Sequence, residues 1–92
     1  MLKYQELTGR KLETLKQKKV FTILDVSNRV IIFRPESGKQ IERQEPIERI
    51  DFLIAKKKRL GHLDVSDVRD AYPESRNTSY LAAIVHALTE KG

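Results

Sequence analysis

The sequence predicts an α+β domain: a small three-stranded antiparallel meander flanked by helices, in the order αβββααα, over residues 1–92. Three observations carry that expectation. β-Branched and aromatic residues concentrate between positions 20 and 34, an apolar stripe at helical spacing follows Pro46, and two polar cap candidates, Ser66 and Asn77, introduce further helical stretches. One domain is expected, because a second core would leave each part near or below the roughly 40 residues under which staples become necessary.

At the N-terminus, Leu7, Leu12 and Leu15 recur close to helical spacing, and Thr8 can cap a helix over 8–18. Its last turn would hold Lys18 and Lys19, where cations also complement the negative end of the helix dipole. The meander then reads as 20–26, a turn at Ser27 and Asn28, 30–34, a turn cluster from Pro35 to Gly38, and a polar edge over 39–43 centred on Ile41. In the second strand Val30 and Ile32 oppose Ile31 and Phe33, so both sheet faces offer apolar side chains and call for cover by helices or by a second subunit.

Pro46 suits a first helical position. Ile47, Ile50, Phe52, Leu53 and Ile54 give the following helix an apolar face, and Gly61 should stop it. Its last turn carries Lys56, Lys57, Lys58 and Arg59, more cations than dipole complementation explains. A short helix capped by Ser66 should end near Tyr72 at Pro73, and Asn77 should cap a last helix with Leu81, Ile84, Val85 and Leu88 on one stripe.

Composition narrows function by exclusion. There is no cysteine, which removes disulfides, thiolate metal sites and cysteine nucleophiles. No segment approaches the ~18 apolar residues of a membrane span, and the first ten positions are too polar for a secretory signal; a cytoplasmic protein without membrane contact is expected. The formal net charge is +5. Its excess lies in residues 1–19, with six basic and two acidic side chains, and in residues 46–61, with five and two. A polyanion should meet those stretches first, although a basic, solvated surface also serves solubility.

Residues 66–90 have the outline of a helix-turn-helix. Arg76, Asn77, Thr78, Ser79 and Tyr80 would form its recognition end, with His86 two turns on. Arginine can bind guanine bidentately, asparagine adenine, and hydroxyls phosphate. Against this, Ala82, Ala83, Val85 and Ala87 make the helix body small and apolar, as in a core helix, and Ala83 with Ala87 would also suit a close helix pair or a dimer seam. Ser37, Gly38 and Lys39 read as turn chemistry, being too short for a phosphate loop. Arg29, Arg34 and Arg43 can line a backbone-tracking groove or guard sheet edges.

Catalytic constellations are weak. His62 with Asp64 and Asp67 is better explained by helix-start acids than by a metal site. Glu36, Glu42 and Lys39 lack the spacing of a nuclease cluster, His62 and His86 lack a nucleophile turn, and Arg69, Asp70 and Tyr72 name no substrate. The expectation is a non-enzymatic nucleic-acid-binding protein, DNA ahead of RNA, without cofactor or metal. Lys18, Lys19, Lys56, Lys57, Lys58 and Arg59 would supply affinity, and Arg76, Asn77 and Ser79 any sequence preference. The alternative is a protein-interaction module or inhibitor, possible as a homodimer.

Overall fold

The structure, a computed structural model, describes residues 3–36, 38–39 and 41–90. After a 3-10 turn at Tyr4–Leu7 come four strands, β1 (Lys11–Glu13), β2 (Val20–Ser27), β3 (Val30–Pro35) and β4 (Arg43–Pro46), then three helices, α1 (Ile47–Leu60), α2 (Val65–Ala71) and α3 (Thr78–Glu90). The α+β class holds. The sheet is antiparallel with four strands in sequential order, β1-β2-β3-β4, rather than three.

The N-terminal helix expected over 8–18 is replaced by β1 and the turn that follows it. Gly9, at φ +84, lets the chain bend after Leu7, a conformation a helix interior would not allow. The Gly9 N–H donates to the Ile23 carbonyl at 2.8 Å, and the Ile23 N–H donates to the Arg10 carbonyl at 2.9 Å. These bonds lead into the ladder of Leu12 against Phe21. Lys18 and Lys19 therefore lie on the loop between β1 and β2 and not at a helix end.

β2 and β3 form where β-branched residues concentrate, with Ser27 opposite Val30 and the two-residue turn at Asn28 and Arg29, φ 49 and 64. That left-handed pair matches the twist of the hairpin. A register shift between Ile23 and Asp25 leaves Leu24 unpaired as a bulge.

The last strand is displaced from 39–43 to Arg43–Pro46, opposite Val30 to Phe33 in register. Ile41, expected at its centre, is 61 % exposed. Gly38 and Lys39 turn with φ +74 at the glycine, while Ser37 of that turn and Gln40 of the expected strand lie outside the described residues. Pro46 ends β4 and directly precedes α1.

One sheet face builds the core. Phe21, Ile23, Ile31 and Phe33 are fully buried beneath the helices, joined by Leu7, Ile50, Leu53, Leu63 and Val68. α3 is the central element, packing on α1, on α2 and on β1. Leu81, Ala82, Ala83, Ile84, Val85 and Leu88 are all buried, and Glu90 is the only exposed position of the helix. Of the two readings of α3 this burial favours the core helix; Ser79, Tyr80, His86, Ala87 and Thr89 stay half-exposed. Ala83 is consumed by this internal packing.

α1 ends at Gly61 as expected, with φ +83 and a 2.7 Å bond from the Gly61 N–H to the Lys57 carbonyl. Phe52, assigned to its apolar face, is 49 % exposed, and meets the edge of Tyr72 at a ring separation of 6.0 Å. α2 begins two residues earlier than a Ser66 cap implies. Asp64 takes the cap position in a reciprocal box with Asp67, and Tyr72 closes the helix. Among the described residues no helix is long and apolar enough to cross a membrane.

Candidate functional site

β4 turns two charged side chains towards the core face. Arg43 pairs opposite Phe33 and Glu45 opposite Ile31, both of which are buried. A carboxylate taken out of water needs donors around it, and the connection between α2 and α3 supplies them. The Asn77 amide donates to Glu45 Oε2 at 2.6 Å, the Ser75 hydroxyl to the same oxygen at 3.2 Å, and Arg49 Nη1 to Oε1 at 3.2 Å.

Asn77 also accepts at its carbonyl oxygen, from Arg43 Nη1 at 3.0 Å. One amide thus links the carboxylate to the guanidinium, and holds Arg43 with its carbon 5.3 Å from the centre of the Tyr80 ring. Tyr80 is fixed in turn by Phe21 and Phe33, at ring separations of 5.0 and 5.2 Å. Asn77 precedes α3, and its carbonyl accepts the Leu81 N–H at 2.8 Å. Its side chain is committed to Arg43 and Glu45.

The β1–β2 turn stands beside this assembly. Thr14 is 3 % exposed and fastens the turn: its N–H donates to the Lys19 carbonyl at 2.9 Å, its carbonyl accepts from the Lys18 N–H at 3.2 Å, and its hydroxyl oxygen accepts from the Lys19 N–H at 3.0 Å. Lys18 adopts φ +56 to close the turn. Lys16, Lys18 and Lys19 are presented to solvent by this well-bonded loop.

Between the turn and α3 lie two hollows that share Thr14, Gln17 and Ser79 as walls. One, of about 170 Å³, is lined further by Lys16, Val65, Ser66 and Arg69. The other, of about 240 Å³, is lined further by Lys19, Arg43, Arg76 and Tyr80. Together they form a cleft with five cationic side chains and no acidic one in its lining. Among the described residues, none of these five cations makes an ion pair, whereas Lys11, Arg29, Arg49 and Lys57 do.

The cations expected at the end of α1 go elsewhere. Lys56 donates to the Asp67 carbonyl at 3.0 Å, tying α1 to α2. Lys57 donates to the Thr89 hydroxyl at 2.6 Å and pairs with Glu90 at 3.4 Å. Lys58 and Arg59 are exposed. This group sits by Thr89, whereas the cleft sits by Ser79, ten residues earlier on α3, or about 15 Å along its axis at ~1.5 Å per residue. The two basic stretches belong to opposite ends of the central helix. Of the residues expected from the sequence, Lys19, Arg76 and Ser79 converge on the cleft, Lys18 flanks it on the same turn, Asn77 braces it, and Lys56 to Arg59 stand apart.

Lys16, Arg43, Arg69 and Tyr80 complete the cleft, and Glu45 organises it. A signal for Arg43 and Glu45 was present as alternation: they are two apart, on the same side of a strand that leads into a helix. Elsewhere, His62, Asp64 and Asp67 bring possible ligand atoms within 4.8 Å of one another. Asp67 there accepts the Asp64 N–H at 2.8 Å as part of the α2 cap. His86 has Nε2 3.1 Å from the Leu63 carbonyl and Nδ1 3.0 Å from Glu90. The bond from His86 is the main cause of the lowered pKa of Glu90, with Lys57 adding to it. Burial raises the pKa of Tyr72, whose ring lies 4.7 Å beneath the Arg49 guanidinium.

No family model matches the chain, and neither curated proteins nor solved structures give a significant match.

Proposed function

We propose that this chain is a non-enzymatic nucleic-acid-binding protein whose working surface is the cationic cleft at the start of α3. The observation that carries the reading is convergence. Lys16 and Lys19 from the β1–β2 turn, Arg43 from β4, Arg69 from α2 and Arg76 from the α2–α3 connection line two adjoining hollows with no acidic side chain. Like charges gathered in this way repel one another and raise the local potential, which a polyphosphate backbone relieves. Ser79, Gln17 and Ser66 add neutral donors of the kind that contact phosphate oxygens. Lys58 and Arg59, at the far end of α3, would extend the contact only to a ligand long enough to wrap the molecule.

The test is a titration of labelled single-stranded and duplex DNA, monitored by fluorescence anisotropy at two salt concentrations. Neutralising about four phosphates of a single strand predicts a loss of about 50-fold in affinity between ~50 and ~200 mM salt. The double variant Lys19→Ala with Arg76→Ala should bind at least tenfold more weakly, and Lys58→Ala with Arg59→Ala within about threefold of wild type. Salt-independent binding, or binding unaffected by loss of Lys19 and Arg76, rejects the cleft.

A second reading rests on a different surface. Val20, Leu24, Val30 and Ile32 lie outside the core cluster and are half-exposed on strands whose other face is buried. A protein partner, a second copy included, would cover them. Sedimentation equilibrium across a concentration range tests the second-copy form: a strictly monomeric chain removes it.

A further inference from the structure

We infer that the cleft takes single-stranded nucleic acid, with one unstacked base lying on the guanidinium of Arg43; this rests on the cleft reading above and names its ligand more narrowly. Arg43 differs from the other four cations of the cleft. Lys16, Lys19, Arg69 and Arg76 are exposed, whereas Arg43 is half-buried. It is held on two sides, by the 3.0 Å bond to Asn77 and by the Tyr80 ring at 5.3 Å. Glu45 holds Asn77 at 2.6 Å, and Phe21 and Phe33 hold Tyr80. Each support is itself buried or half-buried, so the guanidinium plane is set before any ligand arrives.

A phosphate contact does not need this degree of fixing, because an ammonium on a flexible stem provides charge equally well. A guanidinium already resting on an aromatic ring has a second planar face, and unpaired bases stack on arginine planes as they do on aromatic rings. Arg43 and Tyr80 both line the hollow that also holds Lys19 and Arg76. A base on Arg43 therefore has its own phosphates beside two cations. The hollow, of about 240 Å³, is a concavity of nucleotide scale. In a duplex the base faces are covered by their stacked neighbours, and only an open strand can place one there.

The experiment uses three labelled ligands of about 12 nucleotides: a mixed-sequence single strand, the same strand annealed to its complement, and an abasic strand of equal length. Each is titrated at low salt against the wild-type chain, Arg43→Lys, and the double variant Lys19→Ala with Arg76→Ala. Arg43→Lys keeps the charge and removes the planar face. If far-UV circular dichroism shows that it does not fold, Arg43→Gln takes its place, read by the ratio of base-bearing to abasic affinity, which is insensitive to the lost charge.

Wild type should bind the base-bearing single strand about tenfold more tightly than the abasic one, and more tightly than the duplex. In Arg43→Lys that preference, read as the ratio of base-bearing to abasic affinity, should fall to within about twofold. If the Lys19 and Arg76 variant weakens on all three ligands while Arg43→Lys keeps its preference for bases, the cleft stands and the stacking inference is overturned. Equal or tighter binding of the duplex by wild type overturns it as well. If loss of Lys19 and Arg76 changes nothing, the cleft reading fails and this inference fails with it.

Discussion

Replacing Glu45 by alanine tests the assembly that supports the cleft, because the structure fixes both what is lost and what remains. The side chain is 6 % exposed and accepts from Asn77, Ser75 and Arg49. Hydrogen bonds to a charged group contribute about 1.5–3 kcal/mol each, but bonds that share one acceptor do not add. Arg49 would not be stranded, since it is 30 % exposed and retains Glu74 at 3.9 Å and the ring of Tyr72; its share is discounted for solvent screening. The Ser75 hydroxyl keeps a bond as acceptor from the Asn77 N–H at 3.1 Å. The principal loss is the Asn77 amide, left facing a void, together with that void.

Glu45→Ala should therefore cost about 3 kcal/mol, out of the roughly 5–15 kcal/mol typical of a domain. For a chain of this length the melting temperature should fall by roughly 12–24 °C. Glu45→Gln, which can still accept from Asn77, should cost about 1 kcal/mol. Urea unfolding followed by circular dichroism gives these values, and a cycle with Asn77→Ala should return a coupling of about 1–2 kcal/mol. A Glu45→Ala chain within about 0.5 kcal/mol of wild type, the range of an ordinary surface change, would refute the account. So would strict additivity with Asn77→Ala.

Three further perturbations probe other parts of the fold. Gly61→Ala meets no atom within 4 Å, so its cost is that of φ +83 alone, about 1–2 kcal/mol in a thermal melt. Lys57→Ala breaks the bond to Thr89 and the pair with Glu90 from a side chain only 13 % exposed; it should cost about 1 kcal/mol in urea, while Lys58→Ala stays within ~0.5 kcal/mol of wild type. The Tyr4 hydroxyl donates to Asp51, and burial, that bond and the nearby charge raise its pKa. The raised folded value means this contribution is fully present below the ordinary tyrosine pKa near 10 and is lost as pH rises above it, since the unfolded phenol ionises first. Tyr4→Phe should flatten the fall of the urea midpoint at alkaline pH, and an unchanged slope would contradict the assignment.

Much of the architecture was legible because local preference and tertiary demand agree. Val20 to Ser27 and Val30 to Pro35 carry β-branched and aromatic side chains whose alternation survives as buried Phe21, Ile23, Ile31 and Phe33. Gly61 stops α1, and Tyr72 before Pro73 ends α2, for the backbone reasons visible in sequence. The N-terminal segment misled because three leucines mimic a helical stripe. Leu7 is buried in a 3-10 turn, while Leu12 sits on a three-residue strand that exists only through pairing with β2. A sequence of Lys-Leu-Glu has no strand signature of its own.

β4 was misplaced for the opposite reason. Its inward positions are Arg43 and Glu45, which hydrophobic patterning assigns to solvent, and their partners Asn77 and Ser75 lie about thirty positions later. The cleft was half legible on the same grounds. Charge counting finds Lys19 and Arg76, but it cannot show that one set of cations gathers at the beginning of α3 while another is spent on bracing its end.

The central place of α3 also bears on how the chain is made. The β2–β3 hairpin is translated before the helix that covers Phe21 and Phe33, which follows more than forty residues later, roughly two to nine seconds at ordinary elongation rates. Throughout that interval the hairpin's apolar side has no permanent cover. Burial of that side is thus expected only once α3 has been made.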